Sequence, residues 1–115
     1  MTLFEHVTKA AQEMRSPIIL AHYVSTGAYS GNDWFVENAK WCASKVDVPV
    51  SIHLDHGDGF PICMEALRLG FTSIMIDGST KPIEENAKMT NDVLKVAKYF
   101  KCAGRGRNRR TFTVR

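Results

Sequence analysis

A dense group of side chains able to bind a metal or transfer a proton occupies residues 53–59, His-Leu-Asp-His-Gly-Asp-Gly. Neutral imidazole is the commonest metal ligand in proteins, and a carboxylate beside a Lewis-acidic ion can give or take a proton. The group therefore indicates metal-assisted acid/base chemistry. The alternative is structural, with Asp58 capping the next helix and His53 buried and hydrogen-bonded in the core.

Other polar residues stand at comparable places in the chain. Asp77, followed by Gly78 and Ser79, ends a short apolar run, and its carboxylate could bind a cation or close a turn with its own backbone. His22 ends another apolar run and is expected to be structural. His6 has no partner nearby in the sequence and is expected at the surface.

The hydrophobic pattern predicts helices alternating with strands. Ser16-Pro17 stops the first helix, because a residue before proline is pushed toward extended geometry. Helices are predicted over 3–14, 32–45, 60–69 and 83–100, and strands over 18–21, 48–54 and 71–76. This order is typical of a parallel sheet in an α/β fold, in which ligands bind beyond the carboxyl ends of the strands. Residues 53–59 and Asp77 lie at such ends.

Strand alternation constrains the orientation of the first group. A regular strand places His53 and Asp55 on one face and Leu54 and His56 on the other. The glycine-rich stretch that follows allows a twist at His56, which would bring His56 and Asp55 to one cavity.

Several local features predict how the helices begin, end and pack. Asn32 or Asp33 is expected to cap the second helix, and Gly70 is expected at the carboxyl-terminal cap of the third. Trp34 and Trp41, seven residues apart on one helix face, are expected to be core or sheet-packing residues.

Length and composition set outer limits. The chain of 115 residues can bury one modest core, but a complete eight-stranded α/β barrel needs about 250 residues. No apolar run is long enough to span a membrane and no signal peptide is evident, so we expect a cytoplasmic protein. The widely spaced thiols are expected to be reduced and structural; they are Cys42, Cys63 and Cys102.

Charge is distributed unevenly along the chain. The net charge is +3, yet residues 1–100 hold nine basic against twelve acidic residues, a net charge of −3. The excess of positive charge lies in the last fifteen residues, which contain no acid; its carriers are Lys101, Arg105, Arg107, Arg109, Arg110 and Arg115. Such a tail could be a nucleic-acid-binding arm.

Four segments together resemble the class II, zinc-dependent ketose-bisphosphate aldolases, which include fructose- and tagatose-bisphosphate aldolases. The resemblance covers about residues 1–100, in order and spacing. The motifs HLDHG at 53–57 and GFTSIMIDGS at 70–79 are the most specific. The segments are SPIIL at 16–20, VPVSIHLDHG at 48–57, GFTSIMIDGS at 70–79 and PIEEN at 82–86.

The resemblance implies a fold and a set of roles. The fold would be part of a (β/α)8 barrel, with the strands here similar to its second, third and fourth. Asp55 would be the catalytic acid/base, His56 a zinc ligand, and Asp77 a residue near the metal that can hold a second cation. Ser25 would approach a sugar-phosphate substrate. Zinc would polarise the carbonyl of dihydroxyacetone phosphate, and the family commonly forms homo-oligomers.

The resemblance also implies what the chain lacks. The other two zinc-binding histidines and the glycine-rich phosphate loops of the family come from later strands, and catalytic zinc normally takes three protein ligands. The isolated chain is therefore expected to be inactive as an aldolase. The alternative function is a non-catalytic binding protein whose basic tail contacts nucleic acid. We expect this less than a tail that is the product of a frameshift.

The tail from residue 101 onward predicts a frameshift. The family would continue with a strand reading Val-Glu-Ala-Glu-Ile-Gly, whereas Lys-Cys-Ala-Gly-Arg-Gly-Arg-Asn-Arg stands at 101–109. One set of codons for this stretch, read one nucleotide later, encodes Ser-Ala-Pro-Val-Glu-Ala-Glu-Ile and opens a glycine codon. Sequencing the genomic DNA around codon 101 tests this prediction, and a shifted frame that does not continue as an aldolase would contradict it.

Overall fold

Helices and strands alternate along the chain, as the hydrophobic pattern predicts. The structure is a computed structural model that describes residues 2–25 and 30–103, with side chains as far as residue 100. The elements are α1 (Leu3–Glu13), β1 (Ile18–Tyr23), α2 (Asn32–Ala43), β2 (Val50–Gly57), α3 (Phe60–Leu69), β3 (Ser73–Ile76) and α4 (Ile83–Ala103). The basic tail lies outside the described residues from residue 104 onward, as does the side chain of Cys102.

The three strands form one parallel sheet in the order β1-β2-β3. β1 and β2 pair in an unbroken register from Ile18↔Val50 to Tyr23↔Asp55. The prediction of an α/β fold with a parallel sheet is thus confirmed. β2 differs from its predicted range in that it runs on through the polar group to Gly57, and β3 starts two residues later than predicted.

One face of the sheet is packed against helices and carries the core. Leu54, Ile74 and Ile76 are almost fully buried on the strands, as are Phe71 just before β3 and Leu67 on α3. Each such side chain contributes about 1.5–3 kcal/mol when it leaves water. The helix side of the sheet therefore supplies much of the hydrophobic stabilisation.

α1 is held at both ends by polar side chains. Thr2 and Glu5 form a capping box in which each side chain bonds the backbone N–H of the other. At the other end, the backbone N–H of Asp47 donates to Gln12 Oε1 at 2.7 Å, which ties α1 to the loop before β2. Ala11 on α1 is buried, whereas Leu3 at the start of the helix is exposed.

The N-cap residue of α2 differs from the predicted one. Gly31, with φ 85°, occupies the N-cap position, and no side chain caps the helix. The side chain of Asn32 is used elsewhere: its Oδ1 lies 2.8 Å from His22 Nε2, and its Nδ2 donates to Glu65 Oε1 at 3.4 Å. Among the described residues, Asp33 Oδ1 accepts from the neighbouring N–H of Trp34. The buried contact with His22 outcompetes the local cap.

The prediction that both tryptophans pack in the core is wrong. Trp34 is 51% and Trp41 54% exposed. α2 instead turns a neighbouring stripe toward the sheet, which includes Val36 and Ala39. Trp34 keeps one edge-to-face contact with Phe4, whose ring centroid lies 6.0 Å away.

α3 is bounded by two glycines. Gly59 is its N-cap and no side chain caps the helix, so the structural alternative of a cap by Asp58 is wrong. Gly70 ends the helix at φ 103°, a left-handed conformation that suits glycine, which confirms the predicted cap. The ammonium of Lys40 donates to the carbonyl oxygen of Leu69 at 2.9 Å and satisfies part of the helix end.

The two cysteines with described side chains are buried free thiols, as predicted. Burial raises the pKa of Cys63 to about 11 and also raises the pKa of Cys42, so both thiols are neutral at pH 7. Across residues 2–25 and 30–103, no helix has the length and apolar character that crossing a membrane would require.

Gly57, the last residue of β2, is buried at a crowded junction between β2, α3 and β3. A Cβ atom there would lie 3.0 Å from Cys63 Sγ, 3.1 Å from Leu54 Cδ2 and 3.1 Å from the carbonyl oxygen of Met75. The last of these is backbone and cannot rotate away. A glycine is therefore required by close packing at this position.

Gly57→Ala should destabilise the fold by about 1–3 kcal/mol, because the added methyl group forces the strand end away from its neighbours. Urea unfolding followed by far-UV circular dichroism measures this change in the free energy of unfolding.

Gly59→Ser is the matched control for that substitution. A Cβ atom at Gly59 meets only Pro61 Cδ, at 3.6 Å, and serine suits an N-cap. Its effect should stay within about 0.5 kcal/mol. Equal losses at both glycines would contradict the packing argument.

Candidate active site

The polar group at the end of β2 is shaped by a one-residue irregularity in the sheet. β2 and β3 pair at Leu54↔Ile74 and again at Gly57↔Ile76, so β2 contains one more residue than β3 between the two pairs. Within this bulge His56 has φ 54°, a left-handed conformation uncommon for residues other than glycine. The expected twist at His56 is confirmed.

The bulge brings His56 to the end of β3. The backbone N–H of Asp77 donates to the carbonyl oxygen of Gly57 at 2.8 Å, which fixes the end of β3 beside the bulge. His56 Nδ1 lies 2.7 Å from Asp77 Oδ2. Two residues that sequence analysis singled out separately thus form one hydrogen-bonded pair.

Asp77 is held as a carboxylate. Its Oδ1 accepts a hydrogen bond from the backbone N–H of Ser79 at 3.0 Å. Hydrogen bonds from Ser79 and from His56 hold the pKa of Asp77 well below its ordinary value. Because an ionised carboxylate only accepts hydrogen bonds, the proton between this pair resides on His56 Nδ1.

Asp55 lies on the other side of the His56 ring. Its Oδ1 atom is 3.8 Å from His56 Nε2 and 4.0 Å from His53 Nε2. His56 Nε2 thus faces the carboxylate of Asp55. A cation or proton between these two atoms would be attracted by the carboxylate. The Asp55 side chain is 39% exposed, so a ligand can reach it.

These residues fit a metal ion in part. A ligating histidine commonly donates its second ring N–H to a carboxylate, and the His56–Asp77 pair has that arrangement, with Nε2 left available. Within the described ranges, however, no three His, Cys, Asp or Glu residues lie together in a cluster able to hold a metal ion. The described chain thus supplies one well-oriented imidazole, which is fewer than the three protein ligands of an ordinary catalytic zinc site.

His53 is a site neighbour whose role was left open by the sequence. Its Nδ1 lies 2.7 Å from Ser73 Oγ on β3, the residue opposite it in the sheet. Burial lowers the pKa of His53, with the neighbouring charge of Asp55 opposing and that of His56 adding to this effect. His53 is therefore neutral at pH 7. The structural alternative foresaw its hydrogen bonding, but not its position beside Asp55.

Tyr23 was missed as a site residue. It pairs with Asp55 in the register of β1 and β2, and its ring centroid lies 5.8 Å from that of His56. The side chain is half exposed at the carboxyl end of β1. The signal was present in the sequence, because the last residue of a neighbouring parallel strand must border the same site.

The remaining candidates lie apart from this group. Ser25 is exposed two residues beyond β1, and in the part of the chain that the structure describes it makes no hydrogen bond to the group. His22 is buried on the helix side, where its ring packs 4.2 Å from that of Phe35, as expected of a structural histidine. His6 is exposed on α1, also as predicted.

Comparison with known proteins places this chain among the class II aldolases. The family profile described as fructose-bisphosphate aldolase class-II matches residues 1–103. A protein of Bacillus subtilis strain 168 named "Probable fructose-bisphosphate aldolase" is 43% identical over 96 residues, which cover 81% of this chain and 34% of the relative. The fructose-bisphosphate aldolase of Geobacillus stearothermophilus is 40% identical over 94 residues, 79% of this chain and 33% of the relative.

A solved structure agrees with the sequence comparison. The crystal structure of the YdjI aldolase from Escherichia coli K12 superimposes with a TM-score of 0.77 at 29% identity, covering 84% of this chain and 37% of that one. The parallel strands and their helices are part of an α/β barrel. The chain belongs to the class II fructose-bisphosphate aldolase family and spans about a third of the length of the curated relatives it matches.

In the Asp77→Asn variant, the His56 ring should no longer be held in a single tautomer. In the parent chain at pH 7.5 we expect the Nδ1–H form, because only that form donates to the Asp77 carboxylate. A neutral amide accepts more weakly, so the variant should show a mixture of both tautomers. Long-range ¹H–¹⁵N correlation spectra of the histidine rings measure this.

Asp92→Asn provides the control, since Asp92 lies on α4 in an exposed ion pair with Lys88. It should leave the His56 ring signals unchanged. A parent chain in which Nε2 carries the proton would contradict the assigned direction of the hydrogen bond.

Proposed function

We propose that this chain carries the acid/base part of a class II aldolase site. The reaction is the reversible aldol cleavage of a ketose 1,6-bisphosphate to dihydroxyacetone phosphate and glyceraldehyde 3-phosphate. The observation that carries the proposal is the group of Asp55, His56 and Asp77 at the carboxyl edge of the sheet, in a chain of this family.

Asp55 is the proposed catalytic acid/base. Its carboxylate is partly exposed, and its two imidazole neighbours lie 3.8 and 4.0 Å away. A carboxylate in this position can take the proton from the hydroxyl next to the bond that breaks, and return it in the condensation direction. His53, neutral and held by Ser73, borders Asp55 without carrying a permanent charge.

His56 and Asp77 are the proposed metal-binding residues. His56 Nε2 is the donor atom, and Asp77 keeps the ring oriented and can hold a second cation. When bound, zinc would act as the Lewis acid that polarises the substrate carbonyl. In the resemblance on which this proposal draws, the other two histidine ligands come from later strands of the family fold.

The substrate is proposed to be a sugar phosphate, with Ser25 as a residue that approaches it. We propose fructose or tagatose 1,6-bisphosphate as the ketose, and a homo-oligomeric, cytoplasmic, glycolytic enzyme as the context. The buried free thiols of Cys42 and Cys63 suit a reducing compartment.

Asp55→Asn should lower aldol cleavage by about 10²–10⁴-fold, because asparagine cannot accept the proton. The assay follows the release of dihydroxyacetone phosphate from either bisphosphate with added zinc. It uses two proteins: the 115-residue chain, and the Bacillus subtilis relative in which the matching third is replaced by residues 1–100 of this chain. Turnover is expected in the chimera, which restores the remaining strands.

Asp58→Asn is the matched control three residues further along the chain, since Asp58 is exposed and lies outside the group of Asp55, His56 and Asp77. It should retain turnover within about 2-fold of the parent, consistent with a residue that does not touch substrate. Equal losses in both variants would contradict the role of Asp55. Full turnover of the chimera after metal removal would contradict the role of zinc.

A further inference from the structure

A cavity lies on the helical side of the molecule, away from the carboxyl ends of the strands. It has a volume of about 290 Å³ and opens between α1 and the end of α2. Its α1 wall is one face of that helix, with residues at positions 5, 8, 9 and 12, and its other wall is formed by residues 41, 42, 45 and 46. The volume is near the lower end of that of small-molecule sites, which suits a ligand of one or two rings.

The interior of this cavity is mainly apolar, and its buried hydroxyl group already has a hydrogen-bond partner. Cys42 is buried, and its thiol is neutral because burial raises its pKa. The hydroxyl of buried Thr8 donates to the carbonyl oxygen of Phe4 at 2.7 Å, so it needs no partner from a ligand. The indole of Trp41 is 54% exposed and gives the cavity a flat aromatic surface. A ligand body that is planar and apolar fits these surfaces.

The rim of the cavity carries positive charge that is free to bind. In the described part of the chain neither Lys9 nor Lys45 forms a salt bridge, and the ammonium of Lys45 lies 5.2 Å from the centroid of the Trp41 ring. The one acid in the lining, Glu5, accepts from the backbone N–H of Thr2 at 2.5 Å in the capping box. Asp47 lies beside Gln12 just outside the lining.

From this combination we propose that the cavity binds a small aromatic carboxylate. The aromatic body lies against Trp41, and the carboxylate pairs with Lys45 at the rim. A tryptophan surface beside a cation favours both parts of such a ligand, through ring packing and charge pairing. The site is separate from Asp55 and His56, so occupancy of it does not require the proposed aldolase function.

The test titrates the chain with 2-naphthoate and follows the indole N–H resonances of its two tryptophans by NMR. We expect saturable shifts at Trp41 but not at Trp34, with an affinity on the order of 1 mM, as expected of a ligand this small. Trp34→Phe assigns the two signals and serves as a control, because Trp34 is equally exposed but does not line the cavity.

Two comparisons separate charge from ring packing. The neutral 2-naphthamide should bind at least about 5-fold more weakly than 2-naphthoate, and acetate should not shift Trp41. Lys45→Gln should weaken the binding of 2-naphthoate by a similar factor but leave the affinity for 2-naphthamide unchanged. Lys95→Gln, an exposed lysine on α4, should change neither.

Three results would overturn the proposal. They are equal shifts at Trp34 and Trp41, equal affinities for the acid and the amide, and equal effects of the two lysine substitutions. Any of these would mean that naphthoate binds exposed apolar surface without using the cavity and its cationic rim.

Discussion

The bulge at the end of β2 is the constraint on which the candidate active site depends. One extra residue in β2, with His56 in a left-handed conformation, turns an imidazole that regular alternation would direct to the opposite face. Such a conformation costs about 1–3 kcal/mol for a residue other than glycine. The surroundings hold it in place: Gly57 fits against backbone of β3, and Asp77 bonds both the Gly57 carbonyl and the His56 ring.

The polar contacts form a sequence in which each group orients the next. The Ser79 N–H holds the Asp77 carboxylate, Asp77 fixes the proton on His56 Nδ1, and His56 Nε2 is left facing Asp55. Because the Asp77 carboxylate accepts hydrogen bonds from Ser79 and His56, it stays ionised, and this keeps the orientation of the His56 ring fixed. Asp55 Oδ1 and His56 Nε2 lie 3.8 Å apart at the exposed edge of this group, where the carboxylate can attract a cation from solution.

The sequence allowed the sheet, its strand ends and the twist at His56 to be predicted, because these follow from alternation and from glycine chemistry. The error at Trp34 and Trp41 has a geometric cause. On α2 the stripe of Val36 and Ala39 is adjacent to the stripe of the tryptophans, and both have helical spacing. Periodicity shows that a helix has an apolar side but does not decide which of two adjacent stripes meets the sheet.

The mistaken helix cap has a different cause. Asn32 has the right residue type for a cap, and only the fold reveals that His22, ten residues earlier, lies within 2.8 Å of its side chain. A buried imidazole without a partner costs more than an uncapped, solvated helix end, so the tertiary bond prevails. Strand alternation placed His53 on the face of Asp55, whereas its bond to Ser73 and the place of Tyr23 follow from pairing between strands.

One face of the sheet stabilises the fold, and the other carries the candidate active-site residues. Leu54, Ile74 and Ile76 face the helices and are nearly fully buried, whereas His53 and Asp55 lie on the opposite face, with side chains 17% and 39% exposed. A strand with one fully buried face can carry ionisable groups on the other without placing charge in the core. The bulge then turns the side chain of His56 from the buried side of the sheet to the side that carries the candidate active site. This exchange explains why an imidazole stands two residues after Leu54, at a position that alternation assigns to the buried side, and why a glycine must follow the imidazole.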